Sequence, residues 1–244
     1  MTWLGSTPTI TGSIYSGKVI LAKNIRDSIN PTQKRRGWIF KKSVEKHAKS
    51  FTTVDNRNVE YGNARLKFSS PVYHGEQNSG LGWVLMLSIT SGDEKLVYAP
   101  DVQGPMSNET AKNILTDKPD LLILGGSPLY LEDFRVSEDI ISLSLENITY
   151  LTTKVPVTVI DHHLLRSAEW GNFLGKAFKA AEQSGNTLVT AAEFDGDENN
   201  LLESRRQELY EKDPPSKEFL RWAKLQEEEG GGTAPLYRRI IFFS

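Results

Sequence analysis

Hydrophobic and polar residues alternate along this chain with two different periods, which indicates both strands and helices. Ala64, Leu66 and Phe68 are separated by polar neighbours, the period of two expected for a strand with one solvent-exposed face. The largely apolar residues 83–89 predict one continuous central strand covered on both faces. A turn at residues 91–93 leads into a further strand at 95–99, which completes a hairpin.

Beyond residue 100 the pattern changes to strand followed by helix. A first helix is predicted to end near residue 116, and Leu121–Leu124 form a short apolar strand that runs into two glycines. A second helix follows, and a third is ended by Gly185. The residues placed to cap these helices are Ser107 or Asn108, Ser137 and Ser167. The apolar positions of the third helix recur at helical spacing and are Trp170, Phe173, Leu174, Ala177, Phe178 and Ala181.

The ends of the chain carry weaker patterns. Residues 1–12 show no periodicity and are expected to form an irregular opening segment, after which residues 18–22 predict a strand. Residues 198–229 are highly charged and predict two peripheral helices, and residues 226–244 are expected to form a flexible tail. Because no boundary divides the chain, the pattern predicts a single domain over residues 1–244.

Composition narrows the classes of protein that are compatible with this pattern. With 38% hydrophobic and 25% charged residues in 244, the chain can bury a full core. It has neither an apolar run long enough to cross a membrane nor the layout of a signal peptide, so we expect a cytoplasmic protein without membrane contact. The absence of cysteine excludes disulfides, thiolate ligands and cysteine nucleophiles. Any bound metal must be held by His, Asp or Glu.

Charge is unevenly distributed although the net charge is only −2. Residues 30–49 predict a helix or an ordered surface excursion. Within residues 34–49, Glu45 is the single acid. The basic residues there are Lys34, Arg35, Arg36, Lys41, Lys42, Lys46 and Lys49. A local basic patch indicates a phosphate-bearing partner. A solvated helix face explains it equally well.

The most informative stretch ends in an acid and two imidazoles. Val157–Ile160 is short and β-branched, which predicts a buried strand followed at its carboxyl end by Asp161, His162 and His163. Open α/β sheets place their chemistry at that edge. Only one of the two histidines should face a metal if the strand continues through them, whereas a bend after Asp161 would remove this restriction.

Two further polar residues follow strand-like runs. His74 follows the alternating strand, and Asp101 follows residues 96–99. Taken singly, each is more readily explained as a turn or capping residue. Because strand ends at one edge of a sheet converge, we expect both to lie near His162 and His163. Imidazoles with a carboxylate suit Zn²⁺, Mn²⁺ or Fe, and such an ion activates water for hydrolysis.

Five short segments carry a family resemblance. They are PVYHG from Pro71, LGWVLM from Leu81, VYAPDVQGP from Val97, LILGGSPLYL from Leu122 and IDHHLLR from Ile160. In this order they resemble an uncharacterised archaeal branch of the metallo-β-lactamase-fold hydrolases. Residues 18–40, with Asn30-Pro31 and Arg35-Arg36-Gly37-Trp38, are also similar to that branch. The resemblance extends to about Leu209.

The resemblance implies a fold, a reaction and a set of site residues. The fold is an α/β, metallo-β-lactamase-like αββα sandwich, N-terminally incomplete, and the reaction is metal-dependent hydrolysis with zinc, or manganese or iron, as the divalent metal. A phosphodiester or other phosphate ester, in a small molecule or a nucleic acid, is the expected substrate.

The implied metal ligands are His74, Asp101, His162 and His163. The implied catalytic residues are Asp101, as bridging ligand, and Asp161, which orients a histidine or is an additional ligand. The expected substrate-binding residues are Arg166, Arg35 and Arg36.

The superfamily's most diagnostic motif, His-x-His-x-Asp-His, does not occur in this sequence. In the superfamily it supplies about half of the ligands. The chain is therefore expected to be a fragment of a longer protein, the interpretation we favour, or a natural remnant with a half-built site.

Two alternatives remain open at this stage. A catalytically incompetent scaffold or binding module would have the same fold without stoichiometric metal. A phosphoesterase family named for an Asp-His-His triplet would match residues 160–163, but the earlier metal motifs of that family are absent.

Overall fold

The computed structural model describes residues 12–77, 79–131 and 136–222, and it confirms a mixed α/β protein. The strands are β1 (Val19–Ala22), β2 (Ser50–Thr53), β3 (Asn58–Tyr61), β4 (Ala64–Phe68), β5 (Val72–Tyr73), β6 (Trp83–Val84), β7 (Leu87–Ser91), β8 (Glu94–Ala99), β9 (Leu121–Leu124), β10 (Val157–Ile160) and β11 (Thr187–Thr190). The helices are α1 (Pro31–Val44), α2 (Asn108–Thr116), α3 (Glu138–Thr152), α4 (Trp170–Phe173), α5 (Gly175–Gln183), α6 (Ala191–Asp195) and α7 (Arg206–Lys212). Short 3-10 helices lie at Gly12–Tyr15, Leu129–Leu131 and Leu164–Arg166.

A seven-stranded mixed sheet forms the centre, in the order β11-β10-β9-β8-β7-β4-β3. Neighbours from β8 to β11 are parallel, whereas β7, β4 and β3 continue the sheet in antiparallel pairs. The predicted hairpin joins β7 to β8. Two small sheets accompany it, the parallel pair β1-β2 and the antiparallel pair β5-β6. The four parallel strands therefore end at one edge of the large sheet.

One face of the parallel half of the sheet is fully covered. Residues two apart on a strand point to the same side, so the strand register defines two buried rows on this face. One row is Val97, Leu122, Thr158 and Leu188, and the other is Ala99, Leu124, Ile160 and Thr190. Helices α2, α3 and α5 pack their apolar residues into the same core. This packing fixes the strand ends that carry the polar residues.

Several local predictions are confirmed. Residues 64–68 form β4 with alternating burial, and β10 is almost fully buried. The hydroxyl of Ser107 accepts the amide of Thr110 at the start of α2, so Ser107 is the cap. Ser137 lies at the N-cap of α3 without a side-chain capping bond. Gly185 follows α5 with φ +70, the left-handed conformation that favours glycine.

The prediction of one continuous strand over residues 83–89 is wrong. The chain leaves the small sheet after β6 and enters the large sheet at β7. Between them, the amide of Met86 donates to the hydroxyl of Ser69 at 2.9 Å, and the amide of Ser69 donates to the carbonyl of Met86 at 3.0 Å. These bonds hold Met86 at the crossing, with its side chain buried in the core. A contact with a residue far away in sequence therefore divides the apolar run.

The prediction of one helix capped by Ser167 is also wrong. The Ser167 hydroxyl accepts the amide of Glu169 instead, and the helix is divided into α4 and α5 at Leu174, whose side chain is fully buried. The sequence pattern missed β11 and α6. The strand β11 contains two apolar residues between two threonines, a pattern too short to predict a strand. Pairing with β10 at the edge of the sheet defines it instead.

The described part of the chain contains no helix that is both long and apolar enough to cross a lipid bilayer. The single-domain organisation over residues 1–244 stays a prediction. Most of the predicted opening segment, residues 1–11, and the predicted tail, residues 226–244, lie outside the described residues.

Leu122 lies at the centre of the buried face, so its truncation should destabilise the whole sheet. Leu122 is 0% exposed, and we expect Leu122→Ala to lower the free energy of unfolding by about 2–5 kcal/mol through lost burial and a cavity. The matched control Leu202→Ala, at a position 55% exposed, should change it by less than about 0.5 kcal/mol. Urea unfolding followed by circular dichroism measures both, and equal effects would contradict this description of the core.

Candidate metal centre

Three chain segments meet at the carboxyl edge of the parallel strands. Asp101 lies two residues beyond the end of β8, and Asp161, His162 and His163 follow β10 directly. These strands flank β9 in parallel, so their ends lie side by side. His74 arrives from the small sheet, directly after β5. Polar residues from separate parts of the sequence thus reach one edge, as open α/β sheets arrange their sites.

Gly125, directly after β9, allows the neighbouring segments to come this close. A Cβ atom at this position would lie 1.7 Å from the carbonyl oxygen of Pro100 and 3.0 Å from Cδ2 of His163. The Gly125 carbonyl accepts the amides of His163 and Leu164 at 2.8 and 3.0 Å. The sequence pattern indicates this glycine only as the end of a strand. Its role in the site depends on contacts from both neighbouring loops.

His74, Asp101 and His163 form a compact group of potential ligands. One ligand atom from each of the three residues lies within 4.8 Å of the other two. Nε2 of His163 is 3.3 Å from Oδ1 of Asp101, and the rings of His74 and His163 are 6.2 Å apart between centroids. His163 is only 8% exposed. This group brings together residues that the sequence separates by nearly ninety positions.

His162 lies next to this group, although strand alternation would turn it away. The strand ends at Ile160 and the chain turns, so alternation no longer applies. Nε2 of His162 is 3.7 Å from Oδ1 of Asp101, and Nδ1 is 3.2 Å from Oδ2 of Asp161. The bend after Asp161 therefore places both imidazoles beside Asp101, with Asp161 holding the ring of His162.

Contacts of its backbone and of its ring hold His74. Its backbone amide donates to the carbonyl of Gly82 at 3.0 Å, and Nε2 of its ring is 3.3 Å from Nε2 of Gln103. Gln103 is 4% exposed, and its Oε1 atom has no hydrogen-bond partner among the described residues. A Cβ on Gly75 would lie 2.3 Å from that oxygen. Sequence reasoning missed Gln103, whose only signal is its position two residues after Asp101.

The loop that contacts His74 is itself held by helix α1. Side-chain Nε2 of Gln33 donates to the carbonyl of Trp83 at 2.8 Å, and the backbone amide of Trp83 donates back to Oε1 of Gln33 at 3.2 Å. Gln33 also completes the capping box with Asn30 at the start of α1. The helix therefore supports the segment that contacts His74.

Burial and charge set the protonation of the group. Desolvation is the main cause that lowers the pKa of His74, and the neighbouring imidazoles add to it, against the opposing effect of Asp101. The hydrogen-bond contact with His163 is the main cause that lowers the pKa of Asp101, although desolvation opposes it. A carboxylate therefore faces a neutral His74 ring near neutral pH, and neutral imidazole is the form that binds metals.

Tyr130 and Arg166 line the outer side of His163. The hydroxyl of Tyr130 is 3.5 Å from Nδ1 of His163, and Nη1 of Arg166 donates to that hydroxyl at 3.0 Å. The guanidinium also lies over the tyrosine ring, 5.6 Å from its centroid. Arg166 was predicted from the sequence, whereas Tyr130 was not. Its position in the segment LILGGSPLYL, after a strand that ends at the same edge, was the available signal.

Arg35 and Arg36 lie on α1 and not in this group. Arg36 lines a groove between α1 and the strands β1 and β2, whereas Arg35 lines a groove on another side of the helix. Among the described hydrogen bonds and ion pairs, none connects either arginine to His74, Asp101 or His163. The fourth histidine, His47, is exposed three residues after the end of α1.

The comparisons with known proteins identify close relatives among uncharacterised archaeal proteins. A UPF0282 protein of Korarchaeum cryptofilum is 31% identical over 214 residues, which cover 88% of this chain and 71% of the relative. UPF0282 proteins of Thermococcus sibiricus and Pyrococcus furiosus are 36% and 38% identical over 207 residues, which cover 84% of this chain and 65% and 64% of those relatives. The chain thus spans about two thirds of the length of the curated relatives it matches.

No family model matches the sequence. Among solved structures, the chain is similar to a CmlA β-hydroxylase E377D mutant, with a TM-score of 0.37, 10% identity and coverage of 58% of this chain and 32% of that one.

Replacing Gly125 with alanine should disturb the group without removing any of its polar atoms. Because the added Cβ would overlap the Pro100 carbonyl, we expect Gly125→Ala to destabilise the fold by about 1–3 kcal/mol and to shift the NMR signals of the His163 ring. Gly171→Ala, in α4 with no atom near the added methyl, is the matched control and should leave both unchanged or raise stability slightly. Similar behaviour of the two variants would show that the strand ends are not closely packed.

The lowered pKa of His74 predicts a titration that can be followed directly. In the metal-free folded chain the ring of His74 should gain its proton at a lower pH than in the urea-unfolded chain, because burial disfavours the charged ring. NMR of the ring protons, assigned with His74→Gln, measures both states. A folded value at or above the unfolded one would mean that the attraction of Asp101 outweighs desolvation.

Proposed function

This chain belongs to the archaeal UPF0282 family, and from that premise we propose that it carries a divalent-metal centre of a metal-dependent hydrolase. The observation that carries the proposal is the group His74, Asp101 and His163, whose ligand atoms lie within 4.8 Å of one another. The proposal includes a metallo-β-lactamase-like αββα arrangement for the fold. Its support is the order of the strand-end motifs along the chain.

The donor atoms suit zinc, and manganese or iron would also be accommodated. Two imidazoles and a carboxylate are a ligand set that these ions accept, and the chain has no cysteine to offer a softer site. Donor atoms around one zinc ion lie roughly 3.4 Å apart when each is about 2.1 Å from the metal. The 3.3 Å between His163 and Asp101 matches that spacing. When bound, the cation would act as a Lewis acid on a water molecule or a substrate oxygen.

The ligand residues are prepared for a cation by their surroundings. Burial keeps the ring of His74 neutral. One of its two nitrogens therefore carries a lone pair without first losing a proton. The contact with His163 keeps Asp101 charged, and this negative charge attracts the ion. Asp101 is also the residue that both His162 and His163 approach, which fits the role of a ligand shared between neighbouring positions.

The surrounding residues orient the ligands. Asp161 contacts Nδ1 of His162 and so directs Nε2 of that ring towards Asp101. Tyr130 contacts Nδ1 of His163 in the same way, leaving Nε2 of that ring beside Asp101. Carboxylates and hydroxyls in such positions fix the tautomer and direction of ligating histidines. We assign Asp161 and Tyr130 this positioning role and His162 the role of an additional ligand.

A phosphodiester or another phosphate ester is the proposed substrate class. Arg166 lies at the outer edge of the group, where its guanidinium contacts Tyr130 and can also approach an anionic substrate group. The position of Arg166 suits substrate binding better than those of Arg35 and Arg36, which line other grooves beside α1. For those two arginines we propose no contact with a substrate at the metal centre.

Metal binding tests the centre. The EDTA-treated chain should bind Zn²⁺ or Mn²⁺ in isothermal titration calorimetry. Asp161→Asn and Tyr130→Phe should weaken binding roughly 10- to 100-fold, as expected for residues that orient ligands. His74→Ala, Asp101→Ala and His163→Ala should weaken it further because each removes a donor atom. His47→Ala, which removes an exposed histidine outside the group, is the control and should bind as the unaltered chain does.

Hydrolysis tests the reaction separately. The metal-loaded chain should cleave bis(p-nitrophenyl) phosphate, lose that activity in EDTA and regain it with added metal, whereas Asp101→Ala should stay inactive. Stoichiometric metal without cleavage would favour a binding module over a hydrolase. A chain that binds no metal at all would overturn the proposed centre.

A further inference from the structure

Helix α1 presents a strongly basic outer surface that the metal centre does not use. A groove of about 770 Å³ runs along this helix beside residues 25 and 26. Its charged side chains comprise five bases and a single acid, Glu45. The basic residues are Arg26, Lys34, Arg35, Lys41 and Lys42. We call this surface the basic groove.

The basic groove is positive in a chain whose net charge is −2. Its one acid is partly neutralised, since Oε1 of Glu45 lies 3.7 Å from Nζ of Lys41. Among the ion pairs of the described residues, none joins Arg26, Lys34, Arg35 or Lys42 to a carboxylate. The last three lie at one side of α1. Such a concentration of positive charge is complementary to a polyanion and not to a single small ion.

An exposed indole lies among these cations. Trp38 lines the basic groove and is 55% exposed, although tryptophan is usually well covered in a folded protein. The ammonium of Lys42 is 5.9 Å from the centroid of its ring. An aromatic face flanked by cations is the arrangement that binds single-stranded nucleic acids, because bases stack on the ring and phosphates meet the cations.

The apolar side of α1 packs against β2 and the residues before β1, which argues against a membrane as the partner. Val44 is fully buried, and the ring of Phe40 contacts those of Tyr15 and Phe51 at 5.6 and 6.3 Å. A helix that lies on a lipid surface needs a free apolar face beneath its basic one. On the exposed side of α1, Trp38 is the single large apolar residue among those described.

We propose that the basic groove binds single-stranded nucleic acid, with Trp38 stacking on a base and Lys34, Arg35, Lys41 and Lys42 contacting the phosphate backbone. This surface is separate from the metal centre, and the inference does not depend on hydrolysis. It assigns Arg35 and Arg36 different roles although they are adjacent in sequence, since only Arg35 lines the basic groove.

The test is fluorescence anisotropy with labelled oligo-uridylate and oligo-thymidylate over a range of salt concentrations. EDTA is present throughout, so that neither metal binding nor cleavage affects the result. Trp38→Ala should weaken binding roughly 5- to 150-fold at every salt concentration and leave the salt dependence unchanged, because stacking is not ionic. Trp38→Phe, which keeps an aromatic face, should recover most of the affinity.

The charge variants provide the matched comparison. Arg35→Gln should reduce the slope of log K against log salt by about 0.7, the value expected for one lost phosphate contact on a single strand. Arg36→Gln removes the same charge one residue away, outside the basic groove, and should leave that slope unchanged. Circular dichroism checks that each variant is folded.

Four results would overturn the proposal. They are the absence of oligonucleotide binding at low salt, wild-type binding by folded Trp38→Ala, equal effects of the two arginine variants, and tighter binding to duplexes or to phosphatidylserine vesicles than to single strands. None of these results bears on the metal centre, because that centre is tested by its own calorimetry.

Discussion

The close approach of three strand ends at Gly125 is the constraint on which the candidate site depends. The loop after β8 passes so near this residue that no side chain fits beneath the Pro100 carbonyl. The loop after β10 is bonded to the Gly125 carbonyl through the amides of His163 and Leu164. Asp101 and His163 belong to these two loops. Because Gly125 has no side chain, the loops approach until Oδ1 of Asp101 is 3.3 Å from Nε2 of His163.

The fourth contributor, His74, comes from outside the large sheet and needs separate support. Gln33 provides it, because one side chain both completes the capping box of α1 and exchanges two hydrogen bonds with Trp83. The neighbouring Gly82 carbonyl accepts the amide of His74. Helix α1 thus has two roles on different sides. Its first turn supports the loop that contacts His74, and its outer side forms the basic groove.

Much of the fold could be predicted because periodicity and capping are local properties. The alternation in β4, the apolar run of β10 and the cap at Ser107 each depend on a few consecutive residues. Predictions failed where a distant contact decided the outcome. Ser69 divides residues 83–89 between two sheets, and the burial of Leu174 accompanies the division between α4 and α5.

For the candidate site, the sequence by itself determined which donors are available: histidines and carboxylates after apolar strands, in a chain without cysteine. Only the tertiary structure decided their arrangement. The turn after Asp161 directs both His162 and His163 towards Asp101, and Gln103 and Tyr130 enter the site through side-chain contacts. Hydrophobic periodicity reports which face of an element is buried, but distances between elements depend on strand register and on close approaches such as that at Gly125.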